Sequence, residues 1–271
     1  MMKTTNIQKT ILVACLSLTT LCSCSIKEER SVCPCVVEID YSAIKEDQRI
    51  SESEDQNILL IIPSQVNMTV KPRDYPDGQE LSISRKNASF NCYMGYSSGR
   101  ISGSRLVIPE GSEGDQLYSY HKDMLIGPNT ENVRIAPVLC SEFTKVVIRF
   151  VGNESAATGL TVRATSTTNG LDLATGHATE GDFRCELTPI DAQSFAFNMP
   201  RQKNRDIEVD IFSTDEPVYT LELWRELDRA SYDWDAESLA PLVIINIDRK
   251  KVDIDVTVLD WNESITYEYI L

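Results

Sequence analysis

The chain has 271 residues, of which 41 are acidic and 26 basic, and its formal charge is −15. That negative surplus excludes nucleic acid as a partner, because phosphate contacts need a basic face. Only two histidines, His121 and His177, are present, which leaves few general bases or zinc ligands.

Residues 1–23 read as a lipoprotein signal peptide that is removed. Lys3 and Lys9 form a positive start, and Ile11 to Leu21 is an apolar run too short to span a bilayer. Leu21-Cys22-Ser23-Cys24 follows, with a larger apolar residue, two small ones and a cysteine. This is the bacterial lipobox: the small residues let the backbone enter the signal peptidase, and the Cys24 thiol takes the diacylglycerol. Cys22 fits less well as acceptor, because Leu21 would then stand where a small residue is required. Several acyl chains on one cysteine hold a protein stably, whereas one chain alone is marginal. Residues 24–34 form the lipidated tether. In it, Lys27-Glu28-Glu29 is similar to the surface-export signal of Bacteroidetes lipoproteins.

Past the tether, alternation of apolar and polar residues predicts strands almost throughout. Cys35–Tyr41 comes first, then the acidic stretch Lys45–Gln56, which reads as a solvated loop. Shorter strands follow at Ile58–Ile62, Leu81–Ser84, Phe90–Gly95, Leu106–Pro109 and Val133–Val138. Ala136–Glu142 separates two strand runs near the middle of the mature chain, so the expected domains are 35–139 and 140–271. In Phe143–Val151 the inward set is Thr144, Val146, Ile148 and Phe150. Gly159–Ala164 and Gln193–Asn198 come next. Asp206–Phe212 turns Ile207, Val209 and Ile211 inward. Val218–Leu223, Leu242–Asp248, Val252–Val258 and Ile265–Leu271 complete the set. A short helix is expected around Trp234–Leu239, with Asp233 as its N-cap.

Five cysteines remain after the acylated one: Cys33, Cys35, Cys92, Cys140 and Cys185. An odd number leaves at least one thiol free. A bridge across Cys33-Pro34-Cys35 would be strained, and a bridge from that pair to Cys92 is one open alternative. Paired CxxC spacing is missing, so no metal site is expected, and no cofactor motif is found. Gly95-Tyr96-Ser97-Ser98-Gly99 matches GxSxG, but a hydrolase needs that motif on a strand-to-helix turn, and a Ser/Gly-rich loop follows here. Asp233, Asp235 and Glu237 read as surface charge. No catalytic residue is assigned, and the chain is not expected to be an enzyme.

The lipobox, the tether acids, Cys33-Pro34 and the strand Val36–Tyr41 together resemble the start of one family. The strand Lys145–Phe150 and the C-terminal Val256-Thr257-Val258-Leu259-Asp260-Trp261 extend the likeness across the mature chain. The family is the Bacteroidales fimbrial anchor lipoproteins, the FimB type and its minor-fimbria counterpart. This resemblance implies an all-β chain of two transthyretin-like β-sandwich domains in tandem, held in the outer membrane through acylated Cys24. It implies fimbrial structural subunits as partners, joined by strand exchange. The apolar faces of the two terminal strands are the candidate contacts: Val37, Ile39 and Tyr41 in the first, Ile265, Tyr267, Tyr269 and Leu271 in the last. Stalk subunits of the family lose their first strand to a protease that cuts after arginine, and Arg49 is the corresponding basic residue here. A fimbrial tip or stalk subunit is one alternative reading. A glycan-binding surface lipoprotein is another, and it would require exposed tryptophans among Trp224, Trp234 and Trp261.

Overall fold

A computed structural model describes residues 33–47, 49, 57–152, 157–214, 216–248 and 253–260. The first half of the chain runs β1 (Cys35–Ile39), α1 (Ser42–Glu46), β2 (Ile58–Ile62), β3 (Val66–Val70), β4 (Gln79–Ile83) and β5 (Ala88–Met94). It continues with β6 (Ile101–Ser102), β7 (Arg105–Val107), β8 (Tyr118–Met124) and β9 (Asn132–Ile135). The second half holds β10 (Cys140–Ser141), β11 (Phe143–Val151), β12 (Leu160–Asp172), β13 (His177–Glu186), β14 (Thr188–Pro189) and β15 (Ser194–Pro200). After these come β16 (Glu208–Ser213), β17 (Glu216–Leu221), α2 (Leu223–Arg229), β18 (Leu242–Asp248) and β19 (Asp253–Leu259).

Four sheets result, so the chain is mostly β as expected. In the first half, the sheet β4-β1-β9 faces the sheet β10-β8-β5-β2-β3. Between them lies a core that includes Val37, Ile39, Tyr41, Ile58, Leu60, Phe90, Cys92 and Ile135. In the second half, the sheet β14-β15-β11-β18-β19 faces one ordered β17-β16-β12-β7-β6, with β13 also paired to β12. Their shared core includes Val146, Ile148, Phe150, Phe183, Phe197, Val209, Ile211 and Ile245. The inward sets read from period-two alternation lie where expected: Thr144, Val146, Ile148, Phe150, Ile207, Val209 and Ile211 are all buried.

The hairpin β6–β7 belongs to the first half in sequence but pairs with β12 in the second. Leu106 and Leu171 face each other in that register and pack with Leu59, Ile61, Tyr93, Leu117 and Leu173. Ile61 and Leu59 thus bury the second face of β2, which explains its unbroken apolar run ILLII. Close approach of β7 demands Gly170, since a Cβ there would stand 2.0 Å from the Leu106 carbonyl oxygen. Polar contacts reinforce the seam. The buried Glu142 carboxylate accepts from Ser119 Oγ and from Arg201 Nε, and Arg201 Nη1 donates to the Ala236 carbonyl at 2.9 Å.

Several expectations need correction. Residues 234–239 form no helix; the helix lies earlier, at Leu223–Arg229, where Leu223 and Leu227 sit one turn apart and are buried. Trp234 packs against Tyr232 and donates to Asp228 instead. Strand β12 runs well past Ala164, to Asp172. Strands β8 and β13 carry too many polar residues for alternation to reveal them, whereas β3, Val66-Asn67-Met68-Thr69-Val70, alternates but is missing from the expected set. All five cysteines in the described part are free, so the bridge considered between the Cys33–Cys35 pair and Cys92 is not formed. The acidic loop begins as α1, with Ile44 buried and Lys45 Nζ donating to the Tyr75 carbonyl at 2.8 Å.

Candidate functional site: the first strand and the sheet edges

Strand β1 reads CVVEI with every second residue buried, which fixes its register in the core. It lies between two neighbours, antiparallel to β4 and parallel to β9. Cys35 and Val37 are fully buried, and Ile39 and Tyr41 are 1% exposed. Tyr41 OH donates to Gln79 Oε1 at 2.7 Å, and burial pushes its phenol well above its ordinary value. Burial of an apolar side chain stabilises by about 1.5–3 kcal/mol, so these four contribute on the order of 6–12 kcal/mol. Even before the opposing entropy of ordering the strand is subtracted, that gain is on the scale of the net stability of a small domain, about 5–15 kcal/mol. The first pair of sheets therefore requires a strand in this groove, and its own β1 supplies one. Val37, Ile39 and Tyr41 are together there, as core residues of their own chain.

Arg49 is hooked to the fold. Its guanidinium pairs with Asp47, donates from Nη2 to the Leu139 carbonyl at 2.9 Å and stands over the Tyr118 ring at 5.5 Å. The Asp47 hydrogen bond raises its pKa further. An arginine-specific protease has to swallow this side chain, so cleavage requires those contacts to open first. The simple picture of an accessible arginine in a solvated loop does not hold.

The opposite situation prevails at one edge of the second sheet pair. There, among the described residues, β17 and β19 each end a sheet. Tyr219 stands opposite the core residue Ile211, hence on the inward face, yet is 41% exposed. Ile254, Val256 and Val258 alternate on β19, pack against the core and are only half-buried. Phe150, Ile211, Val218, Tyr219, Ile247 and Ile254, with the acidic Asp248, line an open groove of about 190 Å³ here.

The remaining candidates resolve plainly. Cys24, Lys27, Glu28, Glu29, Ile265, Tyr267, Tyr269, Leu271 and Trp261 lie outside the described residues. Ser97 Oγ donates to Asp115 Oδ1 at 2.8 Å, and Arg100 Nη1 donates to the same oxygen at 2.9 Å. An acidic acceptor already paired with arginine cannot serve as the serine's general base. Gly95 in that motif has φ 79° and lies against the Gln116 carbonyl, so its role is conformational. His121 Nδ1 is bonded to the buried Asn91 at 2.6 Å. Trp234 is buried and Trp224 half-buried against the core, so neither forms an exposed sugar platform. Asp235 pairs with Arg205 at 3.0 Å. Among the described residues no cluster of three His, Cys, Asp or Glu side chains could hold a metal, and no helix is long and apolar enough to cross a membrane.

No family model and no curated protein sequence matches the chain. Solved structures do. A Bacteroides ovatus protein described as a candidate adhesin matches with TM-score 0.55 at 15% identity, over 88% of this chain and 96% of that one. A candidate polysaccharide-binding protein of Bacteroides thetaiotaomicron matches with TM-score 0.58 at 9% identity, over 84% and 96%. The fimbrial anchor protein Mfa2 of Porphyromonas gingivalis matches with TM-score 0.52 at 9% identity, over 83% and 96%. This chain therefore has the fold shared by these Bacteroidales adhesin-like and fimbrial anchor proteins, across nearly their full length.

Proposed function

We propose that the protein is a fimbrial subunit of the membrane-anchor type. In this reading it is acylated on Cys24 and displayed on the outer membrane surface through Lys27, Glu28 and Glu29. It holds the fimbria base to the cell and limits fimbria length. Two transthyretin-like domains in series, 35–139 and 140–271, form the body, and fimbrial structural subunits are the partners.

The observation that carries the reading is β1, seated between β4 and β9 with its inward side chains buried. A subunit inside a polymer must offer such a groove to a neighbour's strand. A subunit whose groove is filled by its own strand ends the chain of exchange. The hooked Arg49 supports the same reading, because it guards the segment whose cleavage would free β1. The fold shared with a fimbrial anchor protein agrees with it.

Deleting the gene tests this function. Fimbriae should grow long and appear in the culture medium, and Cys24→Ala should reproduce the shedding and abolish labelling by a fatty-acid probe. Fimbriae of unchanged length that stay on the deleted cells would reject the anchor role. Surface display has its own test: replacing Lys27, Glu28 and Glu29 with alanine should leave the protein acylated but shielded from protease added to intact cells. Equal digestion of variant and wild type would reduce these residues to a tether.

A further inference from the structure

Strand β1 meets its two neighbours in opposite senses, and that decides how it resists a pull. Beside β9 it runs parallel, with Val36 opposite Asn132 and Ile39 opposite Ile135. Beside β4 it runs antiparallel, with Cys35 opposite Ile83 and Ile39 opposite Gln79. The amides of Val36 and Asp40 donate to the Glu131 and Ile135 carbonyls at 2.9 and 2.8 Å. Arg134 pairs with Asp40 at 3.1 Å across the same two strands. The chain enters β1 at Cys35, and it leaves β9 at Ile135 on its way to β10 and the second half. We propose that β1 and β9 form a force clamp, a parallel pair that carries tension in shear between the segment ahead of Cys35 and the rest of the protein.

Tension applied ahead of Cys35 draws β1 toward its start, while the load beyond Ile135 draws β9 toward its finish. Because the strands are parallel, they are pulled past each other along their common axis. The ladder hydrogen bonds run between the strands, so all of them are loaded together and none opens first. A strand peeled from one end instead loses its bonds one at a time. The core side blocks slippage as well. A shift of one residue would turn the buried Cys35, Val37 and Ile39 outward and bring Glu38 inward without a partner. The buried Tyr41 hydroxyl would also leave Gln79, to which it donates at 2.7 Å. The inference rests on the anchor reading for the source of the tension, since acylation of Cys24 places the pull ahead of Cys35. The clamp itself belongs to β1 and β9 and is measured without lipid.

Optical-trap pulling on the full mature chain, made without lipid, tests it. Cys33 is exposed and lies just ahead of β1, so its thiol takes one handle. Cys24→Ser and Cys140→Ser remove competing thiols, while Cys35, Cys92 and Cys185 are buried. The second handle is placed in two ways. Ala136→Cys, exposed just past the end of β9, loads the parallel pair in shear. Lys86→Cys, exposed on the chain leaving β4 beside Cys35, peels β1 from its start. At one loading rate the shear pair should hold to about twice the force of the peeling pair or more. It should then give way in a single step that releases all of the chain between its handles. Equal forces, a weaker shear pair, or earlier partial release from other elements would overturn the proposal. The deletion test of the anchor role reads fimbria length instead, so clamp and anchor can fail separately.

Discussion

The two sheet pairs differ in how they treat an edge. The first encloses β1 between β4 and β9, with Val37, Ile39 and Tyr41 essentially inaccessible. The second leaves Tyr219, Ile254, Val256 and Val258 on an inward face that nothing described covers. The lesson is that strand complementation is a local property. One chain can seal the edge of one sheet pair with an enclosed strand and leave an edge of the other half-covered.

The largest expected effect comes from breaking the sealed side. Deleting 35–41 should abolish cooperative unfolding, since the groove loses about 6–12 kcal/mol of side-chain burial. Circular dichroism during urea titration would show this, and a cooperative transition in the deleted chain would contradict it. Ile39→Ala asks the same question gently and should cost about 2–5 kcal/mol in the urea midpoint.

Alternation in Val36–Tyr41, Phe143–Val151 and Asp206–Phe212 made much of the two cores readable in the sequence. Period two names the face turned to the main core, although β11 also buries Val147 on its other face, with Ala196 and Leu242. The alternation in Lys145–Phe150 and Ile207–Ile211 identified the buried faces but could not say which strands neighbour which. The helix was misplaced because Asp233, Asp235 and Glu237 resemble a helix start, whereas Leu223 and Leu227 carry the burial that decides it. Polar β8 and β13 escaped because their partners, not their own composition, place them in sheets. The seam was invisible for a related reason: Glu142 and Arg201 are far apart in sequence and ordinary in type. The open groove was equally hidden, because Tyr219 looks like any edge tyrosine until Ile211 is seen beside it.

The seam offers the next effect in size. Arg201→Ala leaves the buried Glu142 carboxylate without its cation and should destabilise by about 3–5 kcal/mol. The double variant Arg201→Met, Glu142→Leu should recover most of that loss in the same urea titration. No recovery would mean that the pair does more than satisfy itself.

Alkaline pH probes the core of the second pair. Burial pushes Cys185 from 9.0 up to about 12 and Tyr232 from 10.0 up to about 12, the latter against the opposing Thr144 hydrogen bond. Both are held protonated in the folded state, so the unfolded chain loses protons first as pH rises. Their contribution is complete below about pH 9 and declines from there toward about pH 12. Melting temperatures should fall across that window, and less steeply in Tyr232→Phe. A flat profile would show that these groups are wetter than their burial implies.

The smallest effect lies at the open edge. Val256→Ala should cost only about 1 kcal/mol in the same urea titration, because its side chain is half-buried against the core. A cost as large as that of Ile39→Ala would show that this face is fully covered.

The central claim is that β1 stays in its groove in the working protein. Mass spectrometry of the protein released from intact cells reads this directly from the mature N-terminus. An acylated form running from Cys24 to Leu271, with β1 and Arg49 uncut, is the result this account predicts. A mature form that begins at Ile50, freed of its lipid and first strand, would contradict it and make the protein a stalk or tip subunit.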